Sequence, residues 1–221
     1  QSHGVRWHEY VQNGVVRPVS RRGRRFREHW QAWATEPLTQ LPAQAEWLQP
    51  ASGPPSEVLP AAVKQDPLPC PGRQLGGFQH ARDLLDSFLA KRGEGYSAHM
   101  SAPATAERGC SRLSPHIAHG SLSLRQIAQS ALQASEAAPR GHWHRHLNSY
   151  VTRLWWHCYW LQVLENRPDM ERRALVPEME KLPRSMDLQR FDAWRLGRTG
   201  WPMVDACMRF LHHHGWLNFR M

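Results

Sequence analysis

Between His142 and Glu165 the chain runs without a glycine or proline and carries Trp143, Leu147, Val151, Leu154, Trp155, Trp156, Tyr159, Trp160 and Val163. A stretch with no helix breaker and with apolar side chains recurring at three and four predicts one long α-helix. Its apolar positions cover more than one face, which predicts a central, largely buried helix. Such a helix needs others around it, and the flanking sequence supplies them. Phe78, Ala81, Leu84, Leu85, Phe88 and Leu89 form a helical stripe closed by Arg92-Gly93. Ser123 with Gln126 makes a capping box for a helix through Ala134. Asp187 caps a short helix ending at Gly197, and Pro202 opens another ending at Gly215. No strand-like alternation competes, so the fold class is all-α.

The first part of the chain reads differently. Residues 1–75 have the composition of an extended, irregular arm or linker, with one short helical pattern through Phe26, Trp30 and Trp33. From Pro37 to Pro71 the segment is rich in Pro, Ala, Ser and Gln and cannot bury enough apolar surface to offset its chain entropy. Residues 76–221 are the helical body. Arg21-Arg22-Gly23-Arg24-Arg25 could track phosphates or be a solvated loop. The net charge of +9 favours a polyanionic partner such as nucleic acid. Cys70, Cys110, Cys158 and Cys207 form no C-x-x-C, which argues against a disulfide scaffold or zinc knuckle and suits a reducing, cytoplasmic setting. No apolar run is long enough to cross a bilayer.

The segment Gly109-Cys110-Ser111-Arg112-Leu113-Ser114-Pro115-His116 carries the strongest functional signal. Ser114 is a good N-cap and Pro115 a good first helical residue, so a helix is expected to begin there. Its unpaired N–H groups and dipole attract anions, and Ser111, Arg112 and Ser114 are donors of the kind that hold phosphate. By itself this pattern also describes an ordinary capped helix.

The run Cys110-Ser111-Arg112-Leu113-Ser114-Pro115, followed by Gly120 and Ser123-Leu124-Arg125, resembles the flavin-phosphate loop of the DNA photolyase/cryptochrome family. Downstream, Trp194 and then Gly197-Arg198-Thr199-Gly200-Trp201-Pro202-Met203-Val204-Asp205-Ala206-Cys207-Met208-Arg209, with Gly215-Trp216, resembles a second motif of that family. The resemblance implies part of its helical FAD-binding domain, with FAD as cofactor and blue-light electron transfer to a flipped pyrimidine dimer in DNA. It places the cofactor contacts at Tyr96, Cys110, Ser111, Arg112, Leu113, Ser114, Tyr150, Arg153 and His157, and a base-stacking platform at Trp156. Cys110 stands for the usual Thr, Tyr150 for a Trp near the flavin, Arg153 for a Glu that contacts the dimer bases, and His157 for an Arg. Phe219 occupies the place of an Asn.

These departures leave two other readings open: a cryptochrome-type photoreceptor, and a non-catalytic basic nucleic-acid binder. Asp205 and Arg209 are expected to pair along one helix face. His212-His213-His214 point to different faces and are expected to be a polar helix end, not a metal site. The start at Gln1 and the stop at Met221, just past Gly215, suggest a piece of a longer, monomeric protein whose helical domain is incomplete here.

Overall fold

A computed structural model describes residues 11–17, 26–40, 69–183 and 185–221. Among these residues there are α-helices and short 3-10 turns and no strand. The helices are α1 (Phe26–Thr35), α2 (Phe78–Ala90), α3 (Tyr96–His99), α4 (Pro103–Gly109), α5 (Ser114–Ala118), α6 (Leu124–Ala137), α7 (His142–Asn166), α8 (Leu188–Arg195) and α9 (Pro202–His214). Of the expected arm, residues 1–10, 18–25 and 41–68, with the Arg21–Arg25 run, lie outside the described residues.

The helices begin and end for local reasons. Ser123 accepts from the Gln126 amide at 3.1 Å while its own N–H donates to the Gln126 side chain at 3.0 Å, so the capping box forms as expected. Asp187 accepts from the Arg190 amide at 3.0 Å and starts α8. Pro103 and Pro202 sit in the first turns of α4 and α9, where a missing N–H costs nothing. Gly215 ends α9 at φ 60°, a left-handed conformation that favours glycine.

One hydrophobic core joins α1, α2, α3, α6 and α7. Ala81, Leu85 and Phe88 of α2 are fully buried, as are Ile127, Ala128 and Ala131 of α6. The short 138–141 connection brings α7 back along α6. The seam is fixed by a polar cluster: the His144 Nδ1–H donates to the Ser135 carbonyl (2.7 Å), the Ser135 hydroxyl to Asn148 (2.9 Å), and the Asn148 amide to His144 Nε2 (2.8 Å). α1 contributes Trp30 and Ala34 to the same core. Upstream of it, Val16 is held on α7 by Gln162, whose side chain accepts from the Val16 N–H (2.6 Å) and donates to its carbonyl (3.3 Å). Arg17 closes the clamp on Glu165.

The long helix is less enclosed than its sequence predicts. Its buried residues are His146, Leu147, Tyr150, Leu154, Cys158 and Gln162, a single stripe at helical spacing. Trp156, Tyr159, Trp160 and Leu164 are exposed on the other side. Trp155 stacks on Tyr159 with ring centroids 5.4 Å apart, and Phe26 leans on both.

Truncating the core side chain Leu85 to Ala should cost about 2–5 kcal/mol, and removing the cap by Ser123→Ala about 1 kcal/mol. Urea unfolding followed by circular dichroism checks both, and the order of the two effects is the decisive outcome.

Candidate functional site

The loop from Cys110 to Ser114 leaves α4 at Gly109, where the His99 ring lies so close that a Cβ would come within 2.3 Å of it. Only glycine permits that approach. Three residues on, Arg112 adopts φ 61° although it is not glycine. Its side chain is tied on three sides: Nε donates to Gln74 (3.1 Å), a terminal nitrogen to Glu107 (3.0 Å), and the guanidinium lies over the Trp216 ring at 4.6 Å. The Gln74 amide donates back to the Arg112 carbonyl at 2.9 Å. Arg112 is therefore occupied by the protein itself and has a structural part in the loop.

The turn at Arg112 also moves the helix start. Leu113, not Ser114, is the N-cap, and Ser114 and Pro115 are the first two residues of α5. The Ser114 hydroxyl makes no cap bond; it accepts from the Trp216 indole N–H at 3.2 Å. Among the described residues, the backbone N–H groups of Ser111, Arg112 and Ser114 have no acceptor, and Leu113 reaches only the Ser111 hydroxyl, at 3.5 Å.

Beneath the loop, Phe88, Tyr96 and Tyr150 pack edge to face, with ring centroids 4.6 to 5.6 Å apart. Burial pushes both phenols well above the ordinary tyrosine pKa, so both are neutral. The Tyr150 hydroxyl is buried with no hydrogen-bond partner among the described residues. Burial also raises the Cys110 thiol, partly offset by the Asn218 side-chain amide, which donates to the sulfur at 3.0 Å.

Asn218 and Trp216 come from the segment after α9, so the two distant motifs meet at this loop. The second motif folds on its own bonds. Asp205 is buried and accepts from the Thr199 hydroxyl (2.6 Å), the Thr199 N–H (2.7 Å) and the Gly200 N–H (3.0 Å). Arg209 donates twice to the Gly197 carbonyl, at 3.0 and 2.8 Å. The expected Asp205–Arg209 ion pair is thus replaced by two clasps on one loop, because backbone donors and acceptors left unpaired within that loop offer better partners than the neighbouring turn. Gly197, at φ 63°, has no room for a Cβ, which would lie 2.8 Å from the Asp205 carbonyl. The three histidines do not share one direction: His212 meets the Arg195 carbonyl at 2.6 Å, while the His213 and His214 rings meet edge to face at 4.6 Å and His214 stacks on Phe210.

The remaining site candidates on α7 separate. Arg153 lies over Trp156 at 5.1 Å and over Phe219 at 5.5 Å, and its Nε is buried without a partner. Trp156 itself is 43% exposed. His157 instead lines an open cleft of about 700 Å³ with Asn13, Trp33, Gly120, Arg125 and Leu161, and neither Tyr150 nor Arg153 borders that cleft. The structure therefore gathers Tyr96, Cys110, Ser111, Arg112, Leu113, Ser114 and Tyr150, sets Arg153 and Trp156 beside Phe219, and leaves His157 apart.

Sequence reasoning missed Arg92, Gln74 and Glu107. Arg92 donates to the carbonyls of Leu84, Arg108, Cys110 and Ser111 and to the Ser87 hydroxyl, and no local pattern announces those partners.

The helical fold and the joined motifs define a nucleotide-cofactor domain, and comparison with known proteins identifies its type. Residues 150–221 match the FAD binding domain of DNA photolyase. A deoxyribodipyrimidine photo-lyase of Thermus thermophilus is 36% identical over 170 residues, covering 76% of this chain and 36% of that protein. Cryptochrome-2 of Arabidopsis thaliana is 29% identical over 153 residues, covering 66% of this chain and 24% of that protein. The crystal structure of a bacterial class III photolyase from Agrobacterium tumefaciens superposes with a TM-score of 0.59 and 27% identity, over 65% of this chain and 29% of that one. The chain belongs to the photolyase/cryptochrome family, and the domain it carries part of takes FAD. It spans about a third of the length of the photolyase relatives it matches.

The Asp205 clasp has a signed pH dependence. Its hydrogen bonds, the Thr199 hydroxyl first, hold the carboxyl below the ordinary value of 3.8 in the folded state. A depressed folded pKa contributes stability above the unfolded value and loses it as pH falls through the folded one. Asp205→Asn should therefore melt below the wild type at neutral pH, with the gap closing as pH drops below 3.8. Thermal melts across a pH series check this; a pH-independent gap would contradict it.

Proposed function

We propose that this chain supplies the phosphate-binding end of an FAD site in a flavoprotein that uses blue light to repair pyrimidine dimers in DNA. The observation that carries the cofactor part is the set of unsatisfied N–H groups on Ser111, Arg112 and Ser114, in a loop already braced by Trp216 and Asn218. Unpaired backbone donors around a turn are what a pyrophosphate needs, and the residues present fit that group. Bound FAD would supply the light absorption and the electron given to a lesion.

The chain's own residues would bind and orient. Ser111, Arg112 and Ser114 would donate to phosphate oxygens from the main chain, so Cys110 in place of a threonine costs one hydroxyl and no backbone donor. Tyr96 and Tyr150 would close the floor as neutral phenols. Trp156 offers a flat, partly open face on which an extrahelical base can stack. The net charge of +9 suits a polyanionic substrate.

One feature favours a second reading, a cryptochrome-type photoreceptor without repair activity. Arg153 covers Trp156 and Phe219 where a dimer-binding member of the family has a glutamate, and an arginine accepts no hydrogen bond from a base edge.

Two measurements test these readings. Ser111→Pro removes one of the free N–H groups, and the extended Cys110 preceding it (φ −92°, ψ 159°) tolerates a following proline. This variant should weaken FAD binding roughly tenfold or more with unchanged helix content; equal affinity would overturn the phosphate-loop reading. Light-dependent loss of dimers from an ultraviolet-treated oligonucleotide, measured on the flavin-loaded protein, separates repair from signalling. Bound flavin with no repair selects the photoreceptor.

A further inference from the structure

We infer that Arg92 is the positioning residue that shapes the anion-binding face of the Cys110–Ser114 loop, acting on its carbonyls and never touching the ligand. This rests on the phosphate-loop reading above. A guanidinium carries five N–H donors, and every one has an acceptor here. Nε donates to the Ser87 hydroxyl at 3.0 Å. One terminal nitrogen serves the carbonyls of Arg108 (3.0 Å) and Cys110 (2.6 Å). The other serves those of Leu84 (2.8 Å) and Ser111 (3.4 Å). No donor remains for a bound molecule.

The consequence follows from peptide geometry. In a trans peptide unit the C=O and the N–H point to opposite sides. The Cys110 and Ser111 carbonyls are both drawn toward Arg92, so the N–H groups of the same two units, on Ser111 and Arg112, are turned to the far side. Those two N–H groups are among the three left without an acceptor. Arg112 at φ 61° followed by Leu113 at φ −88° and ψ −8° adds the alternation of left- and right-handed residues that makes successive N–H groups converge into a concave nest.

Two further properties suit Arg92 to this task. Its anchors on Leu84 and Ser87 belong to α2, so the loop's orientation is referenced to a core helix. All five of its acceptors are neutral, so its positive charge stands uncompensated behind the nest and draws anions to the front. Lysine cannot replace it, because one ammonium cannot span five acceptors fixed around a planar fork.

The test compares the full chain with Arg92→Lys, using inorganic pyrophosphate as the probe and amide NMR as the readout, with riboflavin as a ligand that lacks phosphate. In the wild type the Ser111, Arg112 and Ser114 amides should shift on titration. In Arg92→Lys the pyrophosphate Kd should rise about tenfold or more, while riboflavin binding stays unchanged. Equal pyrophosphate affinity in the two proteins, or parallel loss of pyrophosphate and riboflavin, would overturn the role of Arg92 and leave the loop reading standing. Silent wild-type amides would remove the loop reading itself. Should Arg92→Lys fail to fold, the wild type decides: guanidinium resonances that stay still while the amides shift support positioning, and guanidinium shifts as large as those of the amides mean direct contact and refute it.

Discussion

Three aromatic rings from three helices, Phe88, Tyr96 and Tyr150, meet beneath the Cys110–Ser114 loop, and the surrounding geometry depends on that contact. Each fully buried ring contributes about 1.5–3 kcal/mol from the surface it withdraws from water, with a further increment from edge-to-face packing. The triangle fixes the height of α7 against α2. Once Tyr150 is seated, Leu154, Cys158 and Gln162 must follow along the same stripe, and Gln162 then meets Val16. The packing of one cluster thereby sets where the segment before α1 is held.

The basic character of the chain takes on a different meaning once its partners are known. Arg92 is consumed by carbonyls, Arg112 by Glu107 and Gln74, Arg125 by Glu36 and the Trp33 ring, and Arg209 by Gly197. Several cations that composition would credit to a polyanionic partner brace loops inside the protein. Their long, multidentate side chains connect segments that lack secondary structure, a task apolar packing cannot perform at a loop.

How much of this was legible in the sequence depended on range. The Ser123 capping box, the Asp187 cap and the Gly215 stop are encoded within a few residues, and all three form as read. The Cys110–Ser114 loop was legible as a motif, but its helix start was displaced by a left-handed Arg112, which no glycine signalled. The apolar face of α7 could be counted but not assigned a cover, since periodicity does not say which stripe meets a neighbour. The Asp205–Arg209 spacing permitted an ion pair, and nothing local revealed that the Thr199–Gly200 turn would present competing donors. Arg92 was invisible for the same reason: four of its five acceptors are main-chain atoms assembled by the fold.

The left-handed turn at Arg112 has a consequence for kinetics. A non-glycine residue in that conformation costs about 1–2 kcal/mol, and here the bonds to Glu107 and Gln74 and the contact with Trp216 offset it during folding. An anion binding there, as proposed, would meet a loop whose conformational entropy has already been lost. Its capture would need no ordering step, so the rate would be governed by encounter and charge and not by loop rearrangement.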